Sequence, residues 1–126
     1  SAASDVYKRQ LLLGWSYKAE VGDPRETPTI PLFETLKSKN ISVAAWDPHL
    51  HESDFPEGIE VITDIETANG YDIAVLATAH KVCLDIDFKG LASRMRNPIF
   101  YDGRRVMNLD SLQEMGWQTH AVGRPL

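Results

Sequence analysis

The chain has 126 residues, of which 43% are hydrophobic, so it is long enough for one domain with a buried core. A net charge of -5 and a pI near 5.3 argue against a surface that coats nucleic acid, so we expect no nucleic-acid partner. The sequence has no apolar run approaching the about 20 residues that span a bilayer and no basic-then-apolar leader. Together with a single cysteine, these features predict a cytoplasmic protein with no membrane partner.

The chain divides into a short polar tail and one folded domain. Residues 1–9 show no helical or strand periodicity and are predicted to be a disordered tail or a cloning remnant, which leaves residues 10–126 as the domain. From the apolar strand predicted at residues 10–14 onward, apolar runs alternate with amphipathic stretches. This alternation is typical of βαβ units. We therefore predict an α/β fold, a three-layer Rossmann-like sandwich with a mainly parallel sheet of about five or six strands.

The first helix and the second strand have clear end signals. Thr27 is the expected N-cap, and Pro28 takes the first helical position, where its missing N–H costs nothing. Asn40 is expected to end the helix in the left-handed conformation. The next apolar run, residues 41–46, predicts a strand that Asp47-Pro48 closes, because proline cannot donate to the ladder.

The later elements follow the same alternation, with a nearly unbroken apolar run at residues 72–77 that predicts a central strand. The final helix is expected to begin at Asn108 or Asp110 and to end at Gly116. The remaining predictions are an edge strand at 59–62, a capping box at 63–66 before a short helix, a helix at 88–96, a strand at 99–101 and a final edge strand at 117–122.

Basic residues follow two of the predicted strands. Lys18 and Arg25 lie in the loop after the first strand, and Arg104 and Arg105 follow the strand at 99–101. If both strands belong to one parallel sheet, their carboxyl ends share an edge, and the basic groups converge on one crevice where anions bind. A guanidinium binds a phosphate through two parallel hydrogen bonds. Ordinary surface charges paired with nearby acids explain these residues about equally well.

The first turn lacks the three-glycine fingerprint of dinucleotide-binding domains. It reads Gly14-Trp15-Ser16-Tyr17-Lys18, and backbone cannot approach a pyrophosphate closely past a tryptophan and a tyrosine. Any nucleotide bound here would therefore depend on side-chain cations. Asp47 ends the second strand, where such domains keep an acid for a ribose hydroxyl, but a turn-forming role fits the Asp-Pro pair better.

Metal and nucleophile chemistry have little support in the sequence. The pair His49 and His51 has no obvious third ligand, and His80 and His120 lie at unrelated spacings, so we expect no metal site. Cys83 stands between apolar residues and is expected to be a small buried hydrophobe rather than a nucleophile. The chain thus looks equipped to bind rather than to react, and we assign it no catalytic residue.

Four motifs in order resemble the C-terminal, nucleotide-sugar-binding domain of the UDP-glucose/GDP-mannose dehydrogenase family. The resemblance covers nearly everything from Leu11 to Gly123, and four ordered motifs are more specific than any one of them. The motifs are Gly14-x-x-Tyr17-Lys18, Asp23-x-Arg25-Glu26-Thr27-Pro28, Trp46-Asp47-Pro48-His49 and Tyr101-Asp102-Gly103-Arg104-Arg105.

The resemblance implies a domain of an NAD-dependent enzyme that oxidises the C6 hydroxyl of a nucleotide sugar to a carboxylate by two hydride transfers. It implies that Tyr17, Lys18 and Arg104 contact the substrate UDP, and that Arg25 reaches the NAD side of the cleft. In the family an N-terminal domain holds NAD, and the catalytic cysteine and lysine precede this segment. Cys83 does not match that nucleophile position and inherits no role.

The resemblance implies three partners: a UDP-sugar, an N-terminal NAD-binding domain of the parent chain and a second copy of the chain in a homodimer. The fragment alone is predicted to lack dehydrogenase activity. An alternative reading remains open, in which the chain is a non-catalytic α/β module whose basic loops pair with local acids and whose exposed faces contact other proteins. A nucleotide would then leave its melting temperature unchanged.

Overall fold

In the computed structural model, residues 9–16, 19–22, 27 and 29–121 are described, and strands and helices alternate along them. The strands are β1 (Arg9–Leu13), β2 (Ser42–Trp46), β3 (Glu60–Val61), β4 (Ile73–Leu76), β5 (Ile99–Asp102) and β6 (Gln118–Ala121). The helices are α1 (Thr29–Ser38), α2 (Lys81–Leu84), α3 (Phe88–Arg94) and α4 (Leu109–Glu114), with 3-10 turns at Glu52–Asp54 and Ile65–Thr67.

The strands form one six-stranded sheet in the order β3-β2-β1-β4-β5-β6, and every neighbouring pair is parallel. The predicted α/β class and strand number are confirmed, as are the central position of β4 and the edge positions of β3 and β6. The chain winds outward from β1 to β3 and then outward from β4 to β6. The order therefore reverses between β1 and β4, and in open α/β sheets ligands bind at the carboxyl ends of the strands at such a point.

Helices cover both faces of the sheet, which confirms the three-layer arrangement. On one face, α1 places Phe33 and Leu36 against Leu12 of β1 and Val43 of β2. On the other face, α3 and α4 pack against the central strands. The buried side chains of that second core include Leu11, Leu13, Trp46, Phe88, Leu91, Phe100, Leu112 and Trp117.

The predicted ends of α1 are largely confirmed. Thr27 Oγ1 accepts a hydrogen bond from the Thr29 N–H at 3.4 Å, as an N-cap residue does. Pro28, the predicted first residue of the helix, lies outside the described residues. The helix ends at Ser38, and Asn40 has the expected positive φ of 61°. A short polar side chain tolerates this left-handed conformation, which lets the chain turn directly into β2.

Two later helices differ from the sequence prediction. The capping residue before the 3-10 turn is Asp64, whose carboxylate accepts the Glu66 N–H at 3.0 Å, so the cap is not Thr63 as the predicted capping box requires. Helix α2, which begins after His80, was not predicted, because a single helical turn is too short to show a period. The predicted Asn108 cap of α4 is confirmed, since Asn108 Oδ1 accepts the Ser111 N–H at 3.1 Å.

None of the helices in the described part of the chain combines the length and the apolar character that crossing a membrane requires.

Candidate functional site

The turn after β1 depends on a glycine. Gly14 has a φ of +89°, and a Cβ at this position would lie 2.5 Å from the Thr78 Cβ. The close approach arises because the segment after β4 is hydrogen-bonded to β1, with the Ala77 and Thr78 N–H groups both donating to Leu13 O. Gly14 therefore lets the ends of β1 and β4 come together at the switch point.

Directly after this turn, the chain is held by a buried carboxylate. Asp47 follows β2, and its Oδ2 accepts hydrogen bonds from Trp15 N at 2.9 Å, Ser16 N at 2.9 Å and Ser16 Oγ at 2.7 Å. Its Oδ1 accepts the His49 N–H at 3.0 Å, the local turn bond expected of an Asp-Pro pair. Asp47 thus forms its predicted turn and, in addition, holds the loop of the neighbouring strand.

Asp47 remains ionised under all but strongly acidic conditions. Burial, the largest single influence, would raise its pKa, but the hydrogen bonds donated by Trp15 and Ser16 outweigh it and hold the pKa below the ordinary value. The side chain is inaccessible to solvent. A buried negative charge is stable only when donors surround it, and this one has them.

His80 completes the arrangement from the segment after β4. Its Nε2 lies 2.9 Å from Asp47 Oδ2, and its Nδ1 accepts the Glu20 N–H at 2.8 Å. The imidazole is completely buried. His80 therefore connects the carboxylate under Ser16 to the backbone of Glu20, two points on either side of Tyr17 and Lys18 in the sequence.

Three possible metal ligands lie together here, which the sequence spacing did not reveal. Ligand atoms of Glu20, His49 and His80, which we name the carboxylate–histidine cluster, lie within 4.8 Å of one another. The Nδ1 of His80 already accepts a backbone N–H, so its lone pair is occupied. The His49 and His80 rings lie 4.3 Å apart between centroids, with an angle of 38° between their planes. A metal would have to displace the Glu20 N–H from His80 Nδ1, so the cluster is poorly arranged for a metal.

A second buried carboxylate organises the turn after β5. Asp102 is 1% exposed, and it accepts the N–H groups of Arg104 at 2.9 Å, Arg105 at 2.8 Å and Met107 at 2.7 Å. Gly103 N donates to Leu76 O at 3.1 Å. The predicted turn is therefore a tight structure fixed to the ends of both β4 and β5.

The Arg104 side chain points back across the sheet edge. Its Nε donates to Ala77 O at 2.8 Å, immediately after β4 and beside β1. Arg104 also lines a pocket of about 240 Å³ together with Tyr101 of β5, Gly103 after β5, Ala77 after β4, and Thr29 of α1. The guanidinium is thus anchored beside the switch point.

The other site residues predicted from the sequence cannot be placed. Tyr17, Lys18 and Arg25 lie outside the described residues, whereas Arg104 is placed at the expected edge of the sheet. The sequence analysis expects the Trp15 side chain to keep a pyrophosphate away from the backbone of the turn. In the structure Trp15 is 1% exposed, and its ring packs against Phe33 at 6.0 Å between ring centroids. The tryptophan is therefore not an obstacle at the surface of the turn.

Cys83 is a buried side chain, as predicted from its apolar neighbours. It lies in α2 and is completely inaccessible to solvent. Burial raises the pKa of its thiol to about 12, and the negative charges of Asp47 and Glu20 add to this effect. A thiol of that pKa is almost entirely protonated at neutral pH and is a poor nucleophile.

The all-parallel sheet, the reversal of strand order and a basic side chain anchored beside it together define a doubly wound domain of the nucleotide-binding type. Residues 11–109 match the family described as UDP-glucose/GDP-mannose dehydrogenase family, UDP binding domain. The match spans most of the chain, so the chain belongs to this family, and the resemblance inferred from the four motifs is confirmed.

Individual relatives agree with the family assignment. The chain is 28% identical to UDP-glucose 6-dehydrogenase 4 of Arabidopsis thaliana, in an alignment that covers 94% of this chain and 30% of that protein. It is 25% identical to UDP-glucose 6-dehydrogenase of Drosophila melanogaster, covering 93% of this chain and 28% of that protein. The chain therefore spans only about 30% of the length of these curated relatives.

Solved structures show the same fold. The NDP-N-acetyl-D-galactosaminuronic acid dehydrogenase of Methanosarcina mazei superposes with a TM-score of 0.77 at 25% identity, over 94% of this chain and 25% of that one. A UDP-D-ManNAc dehydrogenase of Pyrococcus horikoshii gives a TM-score of 0.74 at 21% identity, over 98% of this chain and 28% of that one.

Proposed function

We propose that this chain binds the UDP part of a UDP-sugar within an NAD-dependent nucleotide-sugar 6-dehydrogenase. Its relatives carry the name UDP-glucose 6-dehydrogenase, and the family description assigns UDP binding to this domain. The reaction would convert the C6 hydroxyl of the sugar to a carboxylate. Because the chain spans about 30% of those relatives, we assign cofactor binding and the catalytic cysteine to the rest of the parent protein.

The observation that carries this proposal is the anchored position of Arg104. Its Nε bond to Ala77 O fixes the guanidinium at the carboxyl end of β4, next to β1. A charged side chain that is already positioned loses less conformational entropy when an anion binds. Lys18 follows Ser16 by two residues in the sequence after β1 and would supply the second charge, and Tyr17 would supply a further contact.

The turn after β1 does not fit the pyrophosphate of a dinucleotide. A dinucleotide-binding turn leaves backbone N–H groups free to approach the phosphates, whereas here the Trp15 and Ser16 N–H groups are both bonded to Asp47. The space beside Gly14 is filled by Thr78. We therefore place the main NAD site in an N-terminal domain of the parent protein, with Arg25 alone reaching it from this chain.

Calorimetric titration with UDP tests the proposal directly. Because a charge-assisted hydrogen bond would be lost, Arg104→Ala is expected to weaken binding by about 1–3 kcal/mol. Lys18→Ala should have an effect of similar size. Arg105→Ala is the matched control, since it removes the same charge from the adjacent position and should leave the affinity within about 0.5 kcal/mol of wild type.

The outcomes separate the two readings of the chain. A UDP-binding domain should melt at a higher temperature with UDP present, since a ligand of the folded state stabilises it by mass action. An unchanged melting temperature and no heat of binding would support a non-catalytic interaction module instead. The chain alone should not reduce NAD with UDP-sugars, and measurable reduction would contradict the assignment of catalysis to another domain. Pairing with that domain, and a homodimer, are part of the same proposal.

A further inference from the structure

Three arginines line one pocket at the edge of the sheet opposite Arg104. Arg9 is the first residue of β1, Arg94 is the last residue of α3, and Arg96 lies between α3 and the amino end of β5. Their pocket has a volume of about 590 Å³, and its other lining residues are Asn69, Gly70, Ser93 and Met95. This volume lies within the range of about 300–1,000 Å³ that is typical of ligand pockets.

The charge of this pocket is opposite to that of the whole chain. The chain has a net charge of -5, yet the lining residues in the described part of the chain include three arginines and no aspartate or glutamate. A concave site lined by charges of one sign concentrates the field, and like charges that share a site repel each other. A bound anion relieves that repulsion, so the pocket favours a ligand with more than one negative charge.

The guanidinium of Arg94 is fixed by backbone carbonyl groups. Its Nε donates to Ala68 O at 2.9 Å, and its Nη2 donates to Ile65 O at 3.2 Å. A guanidinium has five N–H donors, and the bonds within the described residues use two of those of Arg94. The contacts therefore hold the group in place without using all of its donors.

The other two arginines are also held in place. Arg9 Nη1 donates to Gly70 O at 3.3 Å, and its guanidinium carbon lies 4.6 Å from the centroid of the Tyr71 ring. Arg96 Nε donates to the completely buried carboxylate of Asp72, although the Arg96 side chain itself is half-exposed. Side chains that are already positioned lose less conformational entropy when an anion binds.

We propose that this pocket binds the phosphate group of a small phosphate monoester, at a site separate from that of UDP. A phosphate monoester carries about 1.5 to 2 negative charges at pH 7 and three strong acceptor oxygens, which suit a group of arginine donors. One water takes up about 30 Å³ in the liquid, so a pocket of about 590 Å³ has room for a phosphate and for the group esterified to it. Arg104 lies at the carboxyl ends of the strands, so this inference goes beyond the proposed function.

Titration with glycerol 3-phosphate, followed by the backbone amide signals in NMR spectra, tests the proposal. Arg104→Ala serves as the background for every titration, so that the proposed UDP site does not hold the phosphate. We expect saturable shifts at the amides of residues 69–70 and 93–96, which line the pocket. Shifts that are spread over the surface and do not saturate would overturn the proposal. Equal shifts with sodium chloride at the same ionic strength would do so too, since they would show screening alone.

The substitution Arg96→Gln separates the charge of this side chain from its bond inside the protein. The glutamine amide nitrogen reaches about the position of Arg96 Nε and can still donate to Asp72, whereas the positive charge and the terminal N–H groups are lost. The affinity for glycerol 3-phosphate should fall by at least about 5-fold. Lys39→Gln, which removes the same charge from an exposed position after α1, is the matched control and should change the affinity by less than about 2-fold.

Arg94→Gln gives an independent measurement at a second arginine. Its amide can keep the bond to Ala68 O and loses the bond to Ile65 O, so thermal unfolding is measured alongside to verify the fold. This variant should also bind glycerol 3-phosphate at least about 5-fold more weakly. If both variants are folded and bind as tightly as the background protein, the arginines have a structural role only and the proposal is wrong.

Two other probes identify the kind of ligand. Inorganic phosphate should bind no more tightly than glycerol 3-phosphate, because the pocket has room for the ester, and binding of inorganic phosphate alone would overturn the assignment to an ester. A peptide of glutamates that binds more tightly than the ester would indicate an acidic protein partner instead. Because UDP binding is measured separately on the wild-type chain, failure of the proposed function leaves these outcomes unaffected.

Discussion

Substitution of Asp47 provides the strongest test of how the loop after β1 is held. In Asp47→Ala, four buried donors lose their acceptor: the Trp15 N–H, the Ser16 N–H, the Ser16 hydroxyl and the Nε2–H of His80. Each buried donor left without a partner costs about 1–3 kcal/mol, and local rearrangement recovers part of this. We expect the free energy of unfolding to fall by about 3–6 kcal/mol, a large fraction of the about 5–15 kcal/mol of a typical domain.

Urea-induced unfolding followed by circular dichroism measures this loss. The control is Asp85→Ala, which removes an aspartate from an exposed position after α2 and should change stability by no more than about 0.5 kcal/mol. If Asp47→Ala unfolds within about 1 kcal/mol of wild type at neutral pH, the network around Asp47 does not stabilise the fold as the geometry implies.

The isosteric variant Asp47→Asn adds a dependence on pH. Its amide oxygen can still accept the Trp15 and Ser16 donors, so at about pH 7 the loss should be only about 1–2 kcal/mol. The folded-state pKa of Asp47 is lowered, so its charge contributes stability that is fully present above the unfolded value of about 3.9. That contribution is lost as the pH falls through the folded pKa. The difference in free energy of unfolding between wild type and Asp47→Asn should therefore become smaller in acid. A gap that widens on acidification would contradict the lowered pKa.

Three further results are expected. Gly14→Ala should lower stability by at least about 2 kcal/mol in thermal unfolding, because the new Cβ would meet Thr78. Gly116 also has a positive φ, but a Cβ there would meet no neighbouring atom, so Gly116→Ala should cost about 1 kcal/mol. Equal losses would show that the contact beside Gly14 is unimportant. Iodoacetamide at about pH 8 should modify Cys83 slowly in folded protein and rapidly in urea, and fast reaction without urea would contradict its burial and raised pKa. Removal of metal ions with EDTA should leave the melting temperature unchanged, while a lower one would show that the carboxylate–histidine cluster holds a metal.

Local signals in the sequence predicted much of the fold. Asn40 and Gly116 were identified as helix ends because few residues accept a positive φ, and both have one. The apolar run that became β4 was placed in the middle of the sheet because a strand covered on both faces has no polar alternation. These signals lie within a few neighbouring residues, so they can be interpreted without knowledge of the order of the strands.

The contacts of Asp47 could not be predicted in the same way. Its partners Ser16 and His80 lie 31 and 33 residues away, and they meet only because β1 stands between β2 and β4. A signal was nevertheless present. Parallel pairing of Leu13 with Trp46 places the next residue, Asp47, beside the turn after β1, where backbone N–H groups need an acceptor. Pairing of the two predicted strands therefore indicates a contact of Asp47 with the turn after β1, in addition to the local turn predicted from the Asp-Pro pair.

Two buried aspartates also explain why the proposed site depends on side chains. Asp47 uses the N–H groups of the turn after β1, and Asp102 uses those of the turn that bears Arg104. Backbone donors that are bonded inside the protein are not available to a phosphate, so these described N–H groups do not form a glycine-rich phosphate loop in either turn. Each carboxylate instead holds a turn near a basic residue. Asp102 holds the turn that contains Arg104, and Asp47 holds Ser16, two positions before Lys18 in the sequence. Affinity for a diphosphate would then depend on Lys18 and Arg104. Replacing either one should lower that affinity far more than any glycine substitution that leaves the fold intact.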